Sequence, residues 1–250
     1  MATLIANTSF AQSCGCEDGS LWEGYYQAET DSQKIEELLR ITYFQLHRAD
    51  SVNLCLQKAD SINRSLEDPI FAGKICEAFG VHYGWYLDDF DNARICFDEA
   101  IAHFKEDIGS SDPSHLGYVY DGLASMLSES GVIAEAFSNY FEAEQYFRQT
   151  NDTAGMIMNL CNLGLLSLET GKEASALDYF FQALSYAEDS DDLYVKGQIW
   201  EGISIAYASQ EEYEAAIRYS KQSLEVFSEI GEEYYISTGL AHLANLWVSV

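Results

Sequence analysis

Apolar and small residues recur through residues 160–188 at the three- and four-residue intervals of an amphipathic helix, with one break at Gly171-Lys172. Leu160, Leu163, Gly164 and Ser167 share a face of the segment before the break, and Ala176, Phe180 and Ala183 share a face of the segment after it. The pattern predicts two helices folded back on one another, with small residues where the axes approach and large ones filling the gaps beside them. It returns at a fixed spacing of 40 residues: Ala124, Ser204 and Ala244 match Gly164, Leu123, Ile203 and Leu243 match Leu163, and Ala136 and Ala216 match Ala176. A helical period of this length, carrying no strand signal, predicts a stacked helical repeat.

Followed along the chain, helices are predicted from about Leu21. Ile35, Leu38, Leu39, Tyr43 and Leu46 trace one apolar stripe, and Val52, Leu56, Ala59 and Ile62 a second that stops before Asp68-Pro69. A second pair runs from Phe71 to Trp85, turns at Leu87-Asp88-Asp89 and returns through Ala93, Phe97, Ala100 and Ile101. The turn formers from Gly109 through Pro113 to Ser114 make the loosest join. A third pair follows from Leu116 to Phe147, with Leu127, Tyr140 and Ala143 on its inner faces, and a fifth carries Trp200, Tyr207, Ser220, Ser223 and Leu224. Leu240, Leu243, Ala244 and Trp247 then repeat the first helix of a sixth pair. The expected organisation is an N-terminal tail over residues 1–20 and a helical repeat domain over 21–250, of about five and a half repeats with the last incomplete.

These positions resemble the tetratricopeptide repeat, whose signature is a large residue, Leu-Gly and an aromatic on helix A, then Ala, aromatic and Ala on helix B. Leu160, Leu163, Gly164, Ala176, Phe180 and Ala183 match it, as do Trp200, Ile203, Ser204, Tyr207, Ala216 and Leu224, with Ser220 and Ser223 in place of the usual aromatic and Ala. The likeness covers roughly residues 33–250, and the 40-residue spacing departs from the standard 34 towards the long-helix variant found in bacterial signalling proteins. The resemblance implies an all-α fold, a right-handed superhelical solenoid of antiparallel helix pairs whose helix A faces line a groove for peptides. Mapped onto this chain, the groove-facing positions are Lys34, Glu37, Lys74, Glu77, Asp121, Ser125, Cys161, Leu165, Gln198, Glu201, Ile205, Ala241 and Asn245. Family members that clamp a C-terminal carboxylate use Lys and Asn at such positions. Glu37, Glu77, Asp121 and Glu201 stand there instead, which argues against a clamp and for a basic or apolar protein segment as ligand.

Charge sharpens that expectation. The 250 residues include 13 Lys and Arg against 41 Asp and Glu, a formal net charge of -28. Such a surface repels phosphate backbones and anionic membranes, so neither nucleic acid nor a membrane is an expected partner. No stretch approaches the roughly 20 apolar residues of a membrane span. Residues 1–13 are short, uncharged and lightly apolar, ending in Ala11-Gln12-Ser13; they resemble the end of a secretory signal and favour export over a cytoplasmic location, although no basic region precedes them.

The search for chemistry yields little. Of six cysteines, Cys55, Cys76, Cys96 and Cys161 fall within helical patterns, and no second pair completes a metal site around Cys14-Gly-Cys16. His47, His82, His103, His115 and His242 lack ligand spacing, and the acidic run Glu188-Asp189-Ser190-Asp191-Asp192 lacks the glycine and terminal glutamate of a calcium loop. No nucleotide-binding or nucleophile motif occurs, so no catalytic residue, cofactor or metal is expected. The reading is a non-enzymatic binding scaffold, the sensory or regulatory region of a larger bacterial signal-transduction protein. Its alternatives are a segment of an enzyme, a histidine kinase or nucleotide cyclase, with its output domain beyond residue 250, and a free structural adaptor. Leu243 and Trp247, with no following helix to cover them, are expected to invite self-association or continuation of the chain.

Overall fold

Aspartates mark where the helices begin. The Asp68 carboxylate accepts hydrogen bonds from the backbone amides of Ile70 (2.8 Å) and Phe71 (3.2 Å), with Pro69 in the first helical turn. Asp112 accepts from Ser114 N (3.0 Å), Asp152 from Gly155 N (2.9 Å) and Asp192 from Val195 N (3.2 Å). The last three stand 40 residues apart, so the repeat seen in the apolar pattern is also written in the capping residues, each satisfying an amide that the helix itself leaves unpaired. The turns inside the pairs repeat as well. Gly131 (φ 79°), Gly171 (φ 66°) and Glu211 (φ 61°) occupy the left-handed region at equivalent positions.

The computed structural model describes residues 22–44, 48–106, 112–188 and 192–249. The expected tail over 1–20, the Cys14–Cys16 pair, Leu46, His47, the first half of the join at 109–111 and the centre of the acidic run at 189–191 lie outside the described residues. Within them the regular elements are the helices α1 (Glu23–Gln27), α2 (Asp31–Phe44), α3 (Ala49–Leu66), α4 (Pro69–Leu87), α5 (Phe90–Glu106), α6 (Ser114–Glu129), α7 (Ile133–Thr150), α8 (Thr153–Glu169), α9 (Glu173–Tyr186), α10 (Leu193–Ser209), α11 (Tyr213–Ile230) and α12 (Glu233–Ser249). The architecture is all-α, built from successive helix pairs. The chain divides into two compact units, Met1–Asn139 and Tyr140–Val250.

In the first unit, Trp22, Ile35, Leu38, Ile41, Cys55, Leu56 and Ala59 are fully buried and share one core with Phe71 and Ile75. Trp22 sets an edge-on ring contact with Tyr25 at 5.9 Å, and both rings belong to that core. Phe97 and Phe104 of α5 lie against glycines of the neighbouring A helices. A methyl group added at Gly73 would approach Phe104 to 2.8 Å, and one at Gly80 would approach Phe97 to 2.9 Å.

The second unit repeats the device. Phe147, Phe180 and Phe227, all buried, fit into the surfaces of A helices at Gly155, Gly164 with Gly202, and Gly197 respectively. Phe180 is held between two successive A helices, α8 and α10, because both present a glycine to it. Leu160, Leu163, Ser167, Ala176, Ala183, Ile203 and Ala216 are buried beside these rings. Ser204 takes the place of the glycine one repeat later. Its hydroxyl donates to the Ala216 carbonyl (2.8 Å), leaving its oxygen to accept from His242 Nε2 at 3.1 Å. On α12 the exposed large hydrophobic side chains among the described residues are Tyr234, Leu240, Trp247 and Val248, with Lys221 of α11 lying over the Trp247 ring at 5.3 Å.

Candidate functional site

Each unit carries a concavity on its A helices. In the second unit a cavity of about 670 Å³ opens between α8 and α10, lined by Ile157, Met158, Cys161, Asn162 and Leu165 from the first and Val195, Gln198, Glu201, Gly202 and Ile205 from the second. Phe180 reaches it from α9, and Tyr235 closes one end from α12. Of the groove positions expected from the sequence, Cys161, Leu165, Gln198 and Glu201 are brought together around this one cavity, with Ile205 beside them.

The lining is apolar, apart from a few polar groups that are mostly engaged. Gln198 Nε2 donates to the Tyr235 hydroxyl (3.0 Å), which also accepts from the Tyr194 hydroxyl (2.9 Å). The Tyr235 ring stacks on Phe227 with centroids 4.4 Å apart. The hydrogen bond to Tyr235, helped by burial, pushes the Tyr194 phenol up to about 12, so Tyr194 stays neutral and holds Tyr235 in place by that bond. Glu201 is half-buried, and burial raises its carboxyl above the ordinary range.

In the first unit a pocket of about 500 Å³ is lined by Glu36, Leu39 and Arg40 of α2, Lys74, Glu77 and Ala78 of α4, and His115 and Tyr118 of α6. The expected groove residues Lys74 and Glu77 meet there, in mixed rather than purely acidic company. Burial pushes the Glu77 carboxyl up to about 7, with Lys74 acting in the opposite sense. His115 is held below its usual range, first by burial and then by Lys74. Its ring stacks on Phe104 at 5.2 Å.

The remaining expected residues stand elsewhere. Asp121 is buried at 3% exposure, Ser125 is half-buried on α6, and Asn245 is exposed on α12. Met158, Val195 and Tyr235 were not singled out by sequence reasoning, yet all three line the second-unit cavity. A 40-residue register extended into the first helical turn finds them: His115, Val195 and Tyr235 are equivalent, as are Tyr118, Met158 and Gln198, and all six line one pocket or the other.

Three comparisons place the fold. A Signal Transduction ATPase with Numerous Domains carrying a tetratricopeptide repeat sensor, from Pyrococcus horikoshii, superposes with a TM-score of 0.69 at 14% identity, over 87% of this chain and 35% of that one. The apo form of RapI superposes with a TM-score of 0.67 at 13% identity, over 92% of this chain and 60% of that one. The tetratricopeptide-like repeats of a putative kinesin light chain from Podosopora anserina superpose with a TM-score of 0.61 at 13% identity, over 82% of this chain and all of that one. The fold is the tetratricopeptide fold.

No family model matches the sequence. A stretch of 75 residues is 33% identical to the photosystem I assembly protein Ycf3 of Dioscorea elephantipes, spanning 30% of this chain and 42% of Ycf3. In tetratricopeptide terms, both concavities lie on helix A faces, and among the described residues no helix is long and apolar enough to cross a membrane.

Proposed function

We propose that this chain is a non-catalytic scaffold that binds a segment of another protein in its second-unit groove, and that it serves as the sensory or regulatory region of a larger bacterial signal-transduction protein. The observation that carries the binding reading is the groove itself. Met158, Leu165 and Ile205 are 37%, 46% and 37% exposed, yet they face one concavity of about 670 Å³. Apolar surface left open in a concave site is where a ligand gains most, at roughly 25 cal/mol per Å² removed from water. Cys161, Leu165, Gln198 and Glu201 are the proposed contact residues, with Lys74 and Glu77 marking a lesser pocket in the first unit. The regulatory part of the reading is supported by the likeness to a signal transduction ATPase whose sensor is a tetratricopeptide repeat. The stretch shared with an assembly protein supports an adaptor as the second reading.

The test is a random dodecapeptide display library panned against the full chain. Clones are expected to enrich on the wild-type protein and to bind Leu165→Asp at least tenfold more weakly, a loss of about 1.4 kcal/mol, with helicity by circular dichroism unchanged. No enrichment, or clones that bind Leu165→Asp equally well, would overturn the groove as the site.

A further inference from the structure

Glu201 is the charged group in the second-unit groove that its surroundings leave unmatched. The other acid at the groove, Asp192, caps α10 through Val195 N at 3.2 Å. Neither a cation nor a hydrogen-bond donor among the described residues reaches Glu201, and its carboxyl answers to burial alone. Among the described residues, none of those lining the cavity is Lys, Arg or His. The nearby Lys196 is turned to the Glu188 carbonyl at 3.1 Å. A half-buried carboxylate among Ile157, Met158, Leu165, Val195 and Ile205 has given up part of its hydration without gaining a partner.

Each kind of ligand changes that situation differently. A wholly apolar segment would complete the burial of Glu201 and leave it unpaired, which is costly. An acidic segment would be repelled. A run of cations would bring several hydrated charges onto a mostly apolar lining whose one unmatched carboxylate is Glu201. A single ammonium or guanidinium, with apolar side chains on either side, matches the lining in both charge and surface. A second copy of this chain is a poor source of it, with 13 basic against 41 acidic residues.

We infer that the second-unit groove takes a peptide segment of a partner protein in which one lysine or arginine is flanked by apolar residues, the cation seating against Glu201. This rests on the groove being the binding site, and the two ideas fail differently. Clones enriched on the wild-type chain are sequenced, and one is synthesised with its cation as lysine and with norleucine in its place. The expected result is convergence on one cation among apolar residues. Kd should rise at least tenfold with Glu201→Gln and at least tenfold with norleucine, and the norleucine loss should largely vanish on Glu201→Gln. Clones without a cation, with acidic residues or with a basic run would overturn the inference, as would a norleucine loss equal on both proteins. If such clones still fail to bind Leu165→Asp, the groove stands and only its specificity is wrong; clones indifferent to Leu165→Asp, or no clones at all, remove both. The norleucine peptide needs no altered protein, so the comparison survives poor folding of a variant. Sedimentation velocity of the wild-type chain closes the remaining case: a dimer dissolved by Leu165→Asp would assign the groove to a second copy and overturn the partner.

Discussion

Glu77 shows how one residue ties the first unit to pH. It shares its pocket with Glu36, Arg40, Lys74 and His115, and burial carries its carboxyl from 4.5 to about 7. Because the folded value lies above the unfolded one, folding takes up a proton between these limits. The contribution of Glu77 to stability is therefore most favourable below about 4.5 and is lost as pH rises through about 7, where the cost of the buried charge is complete. A neutral amide of the same shape escapes that cost, which is on the order of 3 kcal/mol at most for a shift of this size. Glu77→Gln should raise the melting temperature at pH 8 by several degrees and change it little at pH 5, as read by scanning calorimetry. An equal effect at both pH values would show that burial does not govern this carboxyl. In the second unit, Gly164 is a packing position. A methyl group there would stand 2.7 Å from the buried ring of Phe180, so Gly164→Leu should cost about 1–3 kcal/mol in urea unfolding. An unchanged midpoint would refute the assigned helix register.

At the scale of elements, the pairs are set by two local signals, an aspartate cap before helix A and a left-handed residue in the turn to helix B. Glu211 occupies that turn position with φ 61° where Gly131 and Gly171 stand in earlier pairs. A side chain pays for this conformation with roughly 1–2 kcal/mol and glycine does not, though glycine loses more entropy on folding. Glu211→Gly should thus raise the unfolding midpoint of the second unit slightly, by up to about 1 kcal/mol; a lowered midpoint would mean that the Glu211 side chain contributes more than its backbone costs. The same level shows what could be read from the sequence. Leu160, Leu163, Phe180 and Ala183 announce their burial because close helix contact restricts which residues fit, and the restriction recurs every 40 residues. The groove is less legible. Cys161, Leu165, Gln198 and Glu201 follow from helix A geometry, but the first-turn positions carry residues as unlike as His115, Gly155, Val195 and Tyr235. Packing does not fix residue type on a face turned to solvent or ligand, so no chemical pattern repeats there. The cap at Asp112, Asp152 and Asp192 was equally regular, but its signal lies between the apolar stripes and not within them.

Across the whole molecule, a formal charge of -28 on 250 residues produces self-repulsion that salt relieves, and a field that draws cationic segments towards the surface. On the proposed reading that field favours encounter, and the apolar side chains around Glu201 then select what stays bound. The two pockets differ in this respect. The first unit mixes Arg40, Lys74 and His115 with its acids, whereas among the described lining residues of the second the charged groups are acids, Asp192 and Glu201. Binding of a protein segment between α8 and α10 is the claim on which the functional reading depends. A crystal structure of the full chain with a peptide selected on it tests that claim most directly. The peptide should lie against Met158, Leu165 and Ile205, filling the cavity up to Tyr235. A peptide seated on the outer faces of α9 and α11, or along α12, with the groove left open would contradict it.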